Sequence, residues 1–193
     1  MVTIRQAQAS DAASIAEGIY EAFLLPGSEV ENKPNFHHQW IDTLTAICAQ
    51  PDTQYSYTNT LVAEVDGEIA GIMITVDGAI YRMQRENMFP QLKDLFNIAF
   101  GQGWEEMEDE AKPGEYYIDS LSVLPQYRHQ GVGTALIEHA KQQAQTLEIA
   151  HVTLAVEPMN VAKKLYQRLG FEFEREIRIF NEWYHLYVNK INF

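Results

Sequence analysis

The residues best suited to chemistry form one glycine-containing segment, Arg128-His129-Gln130-Gly131-Val132-Gly133-Thr134. A strand pattern precedes this segment and an amphipathic helix pattern begins at its glycines. The unpaired N–H groups of the first helical turn should therefore converge with the positive end of the helix dipole, an arrangement that favours a phosphate. Gly131 and Gly133 would let a pyrophosphate approach the backbone, and Thr134 offers a hydroxyl donor. The basic side chains of the segment would add positive charge.

Two other classes of nucleotide-binding sequence do not fit these residues. A dinucleotide-binding fold requires a further glycine after Gly133 at the position where this chain has Leu136. A Walker-type phosphate loop requires a Gly-Lys pair, which the sequence does not contain. A helix that simply begins at a glycine and binds no ligand remains as the alternative interpretation.

The composition argues against several kinds of partner. The formal net charge of −13 and the absence of a Lys/Arg-rich run oppose binding to nucleic acid. Cys48 is the only cysteine, so an intramolecular disulfide is excluded and a reducing, cytoplasmic location is expected. The sequence contains no run of about 18 apolar residues, so no membrane span is predicted. His37 and His38 have no further ligand at metal-binding spacing, so we expect no metal.

Apolar periodicity divides the chain into strands and helices without internal repeats. Helices should begin after Ser10, at Phe36, at the glycine turn and at Asn160, and strands are predicted over 2–5, 61–65, 68–76, 116–124, 151–156, 171–179 and 183–188. Asp66-Gly67 predicts a tight hairpin, Pro26-Gly27 should end the first helix, and Gly170 should cap the last one. The mixed order predicts a single α/β domain over residues 1–193 with helices on the faces of a sheet.

The region from 81 to 114 interrupts this order and is interpreted as an insertion. Its apolar residues have helical spacing at Met88, Leu92, Leu95, Phe96 and Ala99, and an acidic run follows over 105–110. The insertion is expected to be either a solvated surface segment or a lid over the acceptor, with acids that recruit a cationic amine.

A family resemblance rests on two segments of the chain. Residues 119–133, Asp-Ser-Leu-Ser-Val-Leu-Pro-Gln-Tyr-Arg-His-Gln-Gly-Val-Gly, resemble the acetyl-CoA-binding segment of the GNAT family of N-acetyltransferases. Residues 160–171 are similar to that family's later helix, which ends in a Leu-Gly-Phe turn. The two segments occur in the family's order, separated by one helix and one strand. The resemblance implies a mixed, largely antiparallel sheet of about seven strands with helices on both faces and splayed central strands.

The resemblance also implies how the co-substrate, acetyl-CoA, would be held. Its pantetheine arm would lie in the opening between the splayed strands, bonded to backbone groups at Leu121, Ser122 and Val123. Its pyrophosphate would occupy the turn from Arg128 to Thr134. The backbone N–H of Leu121 would polarise the acetyl carbonyl and stabilise the developing oxyanion.

The later helix would complete the site by the same resemblance. Asn160 would cap this helix and touch the pantetheine, and Lys163 or Lys164 would face a coenzyme phosphate. Tyr166 matches the position of the family's usual proton donor to the departing thiolate. A purely structural role for an aromatic residue at helical spacing is the alternative for Tyr166.

A base, or water leading to one, must accept a proton, since a lysine-like amine with a pKa near ~10.4 is mostly protonated at neutral pH. Asp119 is the candidate base by the family's pattern, and binding of a cationic substrate is its alternative role. By the two-residue period of a strand, Tyr117 and Asp119 should share a face with Leu121 and line the site. Tyr117, Glu115 and Glu64 are weaker candidates for the base.

Together these features predict an enzyme that transfers acetyl from acetyl-CoA to a primary amine by direct attack. The alternative is a non-catalytic acyl-CoA sensor or interaction module whose acidic run contacts a partner. The expected partners are a small-molecule or peptide amine and, as a further candidate, a second copy of the chain, whereas nucleic acid and membranes are not expected. The sequence leaves the acceptor open, although its acidity slightly favours small cationic amines.

Overall fold

The computed structural model describes residues 1–23, 35–100, 102, 108–180 and 182–193. The strands within these ranges are β1 Val2–Gln6, β2 Thr60–Val65, β3 Glu68–Asp77, β4 Glu115–Val123, β5 His151–Val156, β6 Glu172–Ile179 and β7 Glu182–Lys190. The helices are α1 Ala12–Phe23, α2 Phe36–Cys48, α3 Tyr81–Phe100, α4 Val132–Thr146 and α5 Lys163–Arg168. The predicted stop at Pro26-Gly27 lies outside the described residues.

The seven strands form a sheet in the order β1-β2-β3-β4-β5-β7-β6. β4 and β5 run parallel, and the other neighbouring strands in these ranges are antiparallel. The predicted mixed, largely antiparallel sheet is therefore confirmed. The predicted β2–β3 turn is also present, because Asp66 and Gly67 have φ angles of 53° and 86°, the left-handed pair that a two-residue hairpin loop requires.

The parallel pair β4–β5 separates part-way along its length. Its register ends at Ile118 paired with Leu154. Beyond that point β4 continues along β3, while β5 continues along β7. The strands are thus splayed, as the resemblance implies, and we call the opening between residues 119–123 and residues 155–156 the wedge.

Helices cover both faces of the sheet, and each face carries its own apolar cluster. The first cluster lies under α1, α2 and α3 and includes Ile15, Ile19, Trp40, Leu44, Ile72, Ile74, Leu92, Phe96 and Tyr117. The second lies under α4 and α5 and includes Met73, Leu136, Ile137, Ala140, Val152, Leu154, Tyr166 and Phe171. Because each fully buried side chain of this kind contributes roughly 1.5–3 kcal/mol, the two clusters hold the helices against the sheet.

The alternation of side chains along β4 is interrupted at Asp119. Ile74 of β3 pairs with Ser120, whereas the next residue, Thr75, pairs with Ile118. Asp119 is therefore the extra residue of a β-bulge, a feature that re-aims side chains and is common beside functional sites.

The bulge changes which face each side chain of β4 joins. Tyr117 packs in the first cluster, whereas Leu121 and Val123 pack against the second. The prediction that Tyr117 and Asp119 share a face with Leu121 was wrong, because it assumed an unbroken two-residue period. A single extra residue reverses the face of every residue beyond it.

The region from 81 to 114 contributes to the core. α3 buries residues of the first cluster, among them Tyr81, Met88, Leu92, Leu95 and Phe96. The interpretation of this region as a solvated insertion was therefore wrong for α3. Of the acidic run, residues 108–110 are described, whereas Trp104 and residues 105–107 lie outside the described ranges. The lid interpretation stays a prediction.

The last helix begins later than predicted. The Asn160 side chain accepts a 2.9 Å hydrogen bond from the backbone N–H of Ala162, which closes a turn ahead of α5. Asn160 therefore does not cap α5, which begins at Lys163 after an N-cap residue, Ala162, without a side-chain cap. The predicted end is confirmed, because Gly170 has a φ of 83° and the N–H of Phe171 bonds back into the last turn.

Candidate functional site

A cavity of about 130 Å³ lies at the wedge, between the two diverging strands. Of the predicted site residues, the cavity is lined by Asp119, Leu121, Asn160 and Tyr166, and Tyr117 also reaches it. Other residues that line it are Phe23, Gln54, Tyr55, Phe89, Glu110, Ser120, Val156, Glu157, Ile179, Phe180 and Tyr184. The structure therefore brings the candidate base and the candidate acid to one space.

Asp119 is held in place by hydrogen bonds to both carboxylate oxygens. Oδ2 accepts a 2.5 Å hydrogen bond from Nε2 of Gln54, and Oδ1 accepts one of 2.8 Å from the Ser120 hydroxyl. Gln54 belongs to the loop between α2 and β2, far from Asp119 in the sequence. The bulge at Asp119 gives the carboxylate access to this loop, so the side chain is fixed by tertiary contacts.

Glu110 supplies a second carboxylate to the same cavity and is buried, with 8% of the residue's surface exposed. One of its oxygens accepts a 3.0 Å hydrogen bond from the Tyr81 hydroxyl, and the other accepts a hydrogen bond from the Tyr117 hydroxyl. α3 and β4 each supply one of these phenols, so Glu110 ties the two elements together. Sequence reasoning placed Glu110 only within an acidic run.

The pKa values of both carboxyl groups, Glu110 and Asp119, are raised above their ordinary values. Burial, followed by the nearby negative charge of Asp119, raises the pKa of Glu110 to about 7. Burial also raises the pKa of Asp119 to about 6, although the hydrogen bonds from Ser120 and Gln54 oppose that shift. A carboxyl group that titrates near neutral pH can accept a proton and release it again, which is what a general base requires.

Tyr166 reaches the cavity from α5 with 8% of its side chain exposed. Its ring packs edge-on against Phe171, with 6.1 Å between the ring centroids. Burial raises the pKa of Tyr166 to about 12, so its hydroxyl is protonated at neutral pH. The hydroxyl donates no hydrogen bond to another residue in the described ranges, and it is available to a ligand in the cavity.

The turn from 128 to 134 has the geometry expected of an anion site. Arg128 is fixed to the end of β4 by a 2.9 Å hydrogen bond from its Nε to the Val123 carbonyl oxygen. Gly131 precedes the 15-residue helix α4 with a φ of 86°, a conformation that glycine adopts without strain. In the ranges that the structure describes, the backbone N–H groups from 129 to 134 donate to no protein acceptor. They are free to bind an anion at the positive end of the α4 dipole.

The turn lies beside the wedge. A Cβ atom placed on Gly133 would come within 3.6 Å of Leu165, 3.8 Å of Val123 and 4.0 Å of Leu121. Gly133 therefore sits where α4, α5 and the splayed part of β4 meet. A ligand with a diphosphate in the turn and an extended arm along β4 would reach the cavity, so these residues fit coenzyme A.

Two other candidates, Ser122 and Lys163, do not line the cavity at the wedge. Ser122 faces the opposite side of β4 from Leu121, where it lines a groove with Gly18 of α1 and Ile72 of β3. The Lys163 ammonium donates to the Pro158 carbonyl oxygen, so it is engaged within its own loop. The contacts of both residues with the coenzyme stay predictions. For Ser122, the contact would be made by backbone atoms.

Two of the weaker base candidates, Glu64 and Glu115, are bonded elsewhere, whereas Tyr117 lines the cavity and donates to Glu110. The Glu64 carboxylate accepts a 2.6 Å hydrogen bond from Arg5, and Glu115 accepts one of 2.9 Å from the Lys112 N–H. Neither carboxylate lines the cavity at the wedge.

Within the described ranges, no three His, Cys, Asp or Glu side chains are close enough together to hold a metal ion. None of the helices in those ranges has the length and apolarity needed to cross a bilayer.

Comparisons with known proteins agree on one family. A family model described as "Acetyltransferase (GNAT) family" matches residues 17–171. An N-alpha-acetyltransferase from Sulfurisphaera tokodaii is 33% identical over 126 residues, which cover 64% of this chain and 60% of that protein. The human cysteine-rich protein 2-binding protein is 38% identical over 88 residues, covering 46% of this chain and 10% of that protein. The chain thus aligns with less than two thirds of the length of each relative.

A solved structure extends the likeness to the whole fold. An N-acetyltransferase from Staphylococcus aureus Mu50 superposes with a TM-score of 0.75 at 24% identity, over 97% of this chain and 100% of that one. At that identity the likeness concerns the fold alone.

Proposed function

The chain belongs to the acetyltransferase (GNAT) family, and from this membership we propose that it transfers an acetyl group from acetyl-CoA to a primary amine. The observation that carries the proposal is the cavity at the wedge, which gathers Asp119, Glu110 and Tyr166 beside the anion-binding turn. The co-substrate would supply the activated acetyl group as a thioester. The chain would supply binding, orientation and proton transfer.

The turn would hold the coenzyme by its phosphates. The free N–H groups from 129 to 134 and the α4 dipole would bind the diphosphate, and Arg128, which is tied to β4, would add positive charge. The extended arm would follow the wedge along β4 past Val123 and Leu121. This placement brings the thioester to the cavity, so that the two reactants meet with little further loss of freedom.

The carboxylates would prepare the acceptor. An amine that enters as the ammonium ion loses a proton to Asp119 or Glu110, both of which titrate near neutral pH. The neutral nitrogen then forms its bond to the acetyl carbon while the carbon–sulfur bond breaks. The backbone N–H of Leu121 would donate a hydrogen bond to the acetyl oxygen and stabilise its developing negative charge.

Tyr166 would act on the sulfur that leaves. Its phenol is protonated at neutral pH and unpaired among the described residues, so it can donate a hydrogen bond or proton to the thiolate as the carbon–sulfur bond breaks. The nitrogen loses its second proton, which restores the Tyr166 phenol, and the proton taken earlier by the carboxylate returns to solvent. The products are the N-acetylated amine and free coenzyme A thiol.

The test is a turnover experiment with the purified chain. Acetyl-CoA binding is measured first by calorimetry, and thiol release and mass of the acceptor are then followed with a panel of primary amines. We expect stoichiometric thiol release and acetylated amine. Acetyl-CoA binding without acetylation of any amine in the panel would instead favour the non-catalytic sensor.

A further inference from the structure

Gln54, which lines the cavity at the wedge, has a buried hydrogen-bond acceptor that the protein leaves unused. Gln54 is 2% exposed, and its Nε2 is committed to Asp119. Its Oε1 is buried and has no hydrogen-bond partner among the described residues. A buried carbonyl oxygen without a donor is destabilising, so this atom is suited to a ligand that brings an N–H group.

The other polar groups around this atom also favour a hydrogen-bond donor. The carboxylates of Asp119, Glu110 and Glu157 line the same cavity. No arginine, lysine or histidine belongs to the lining that the structure describes. A cationic amine would compensate these carboxylates, whereas a ligand with its own carboxylate would meet like charge without a counter-ion.

One part of the cavity wall is apolar, although the lining also includes Ser120, Asn160 and several tyrosines. Phe23, Phe89, Val156, Ile179 and Phe180 contribute side chains to it. A part of the acceptor that lies against this apolar wall would be in contact with hydrocarbon. A polar group there would lose its water without gaining a partner.

We propose that Gln54, through Oε1, is a specificity-determining residue that binds the acceptor amine together with Asp119 and Glu110. The acceptor is a primary amine on an apolar body, without a carboxylate next to the amine. This inference rests on the proposed function for the location of the acceptor, but it concerns binding and can be measured without turnover. The three acceptor groups match the three N–H donors of a primary ammonium.

The experiment measures binding of matched amines to the chain saturated with coenzyme A, by isothermal titration calorimetry. Phenethylamine, phenylalanine amide and phenylalanine share one apolar body and differ in the group beside the amine. We expect phenethylamine to bind, phenylalanine amide to bind more weakly, and phenylalanine to bind at least about tenfold more weakly than phenethylamine because its carboxylate is unpaired. Equal binding of phenylalanine and phenethylamine would overturn the proposal.

Variants at Gln54 separate its two atoms. Gln54→Met removes both polar atoms at similar size and should weaken phenethylamine binding by about tenfold, the equivalent of one lost hydrogen bond. Gln54→Glu keeps an acceptor oxygen and should bind phenethylamine more tightly than Gln54→Met does. Gln50→Met, at a glutamine of the same loop that bonds to Gln91 and does not line the cavity, should leave phenethylamine binding unchanged.

Coenzyme A affinity and the thermal midpoint show whether each variant is folded. If Gln54→Met binds phenethylamine like the unmodified chain while folded, Gln54 is not part of the amine subsite. If Gln54→Met does not fold, the order of the three matched ligands on the unmodified chain still decides the proposal. Binding in the expected order without acetylation would refute the proposed function and leave this inference standing.

Discussion

The carboxylate of Glu110 accepts a hydrogen bond from the hydroxyl of Tyr117, the β4 residue that lies seven positions later in the chain. This bond holds the carboxylate at the cavity that also contains Asp119, where burial and mutual repulsion raise the pKa of Glu110. The proposed proton transfer at this site therefore involves a pair of carboxyl groups, although the sequence indicated only one of them.

The pair predicts how activity depends on pH. A carboxyl group with a raised pKa is protonated below that pKa and acts as a base above it. We expect kcat/KM to fall as the pH drops through the range from about 7 to about 6, where Glu110 and Asp119 take up protons. Asp119→Asn should lower kcat/KM by about 100-fold, because a general base is lost. It should also alter the fall of kcat/KM at acidic pH, which we call the acidic limb of the profile.

The matched control for this profile is Asp109→Asn. Asp109 neighbours Glu110 in sequence but pairs with Arg85, at 2.9 Å, and does not line the cavity. The profile of this variant should match that of the unmodified chain. An unchanged acidic limb in both Asp119→Asn and Glu110→Gln would show that neither carboxylate is the base.

Glu110 also predicts how stability depends on pH. Its folded-state pKa lies above its ordinary value of 4.5, so the folded state binds the proton more tightly than the unfolded state does. The contribution of Glu110 to the free energy of unfolding therefore decreases as the pH rises from about 4.5 to about 7. Urea unfolding of Glu110→Gln and the unmodified chain should show the variant gaining relative stability across this window. Glu172→Gln, at an exposed position, should show no such change.

Tyr166→Phe should lower kcat at least about tenfold, because the departing thiolate loses its donor. Acetyl-CoA affinity should change little, since the ring and its packing against Phe171 are retained. Tyr187→Phe is the control, because Tyr187 is buried in the same apolar cluster but does not line the cavity. Stopped-flow measurement of thiol release would compare the two, and an equal kcat for Tyr166→Phe and the unmodified chain would remove Tyr166 from the mechanism.

The turn can be tested with a pair of glycines. Gly131 and Gly67 both have a φ of 86°, and a Cβ on either would meet nothing within 4 Å. Alanine at either position should therefore lower the free energy of unfolding by about 1 kcal/mol through backbone strain alone. Only Gly131→Ala should also weaken acetyl-CoA binding, measured by calorimetry. An equal acetyl-CoA affinity in both variants would argue against the turn as the phosphate site.

Cys48 should be inert in the folded protein. It is buried, and burial raises the pKa of its thiol to about 12, so little thiolate is present at neutral pH. A thiol reagent such as dithionitrobenzoate should react with the protein only after urea unfolding. Rapid reaction of the folded protein would contradict this burial and would also interfere with thiol-release assays.

Local features were predictable from the sequence because they depend on neighbouring residues. The proposed anion-binding turn follows from glycines at the start of an amphipathic helix, since unpaired N–H groups occur at any helix N-terminus. The β2–β3 hairpin follows from Asp66-Gly67, and the end of α5 follows from Gly170, because each requires a left-handed backbone. The family motif placed Asp119 and Tyr166 at one site, and the structure brings both to the cavity.

The acceptor side of the site was decided by tertiary structure. The bulge at Asp119 arises from register with β3, so the period of β4 alone gave the wrong face for Tyr117. The contact of Gln54 with Asp119 joins residues 65 positions apart, and nothing in the polar loop around Gln54 marks it for this role. Glu110 is set apart from its acidic neighbours only by the phenols of Tyr81 and Tyr117. Hydrogen bonding between distant segments and removal from water fix these side chains, and neither leaves a local pattern in the sequence.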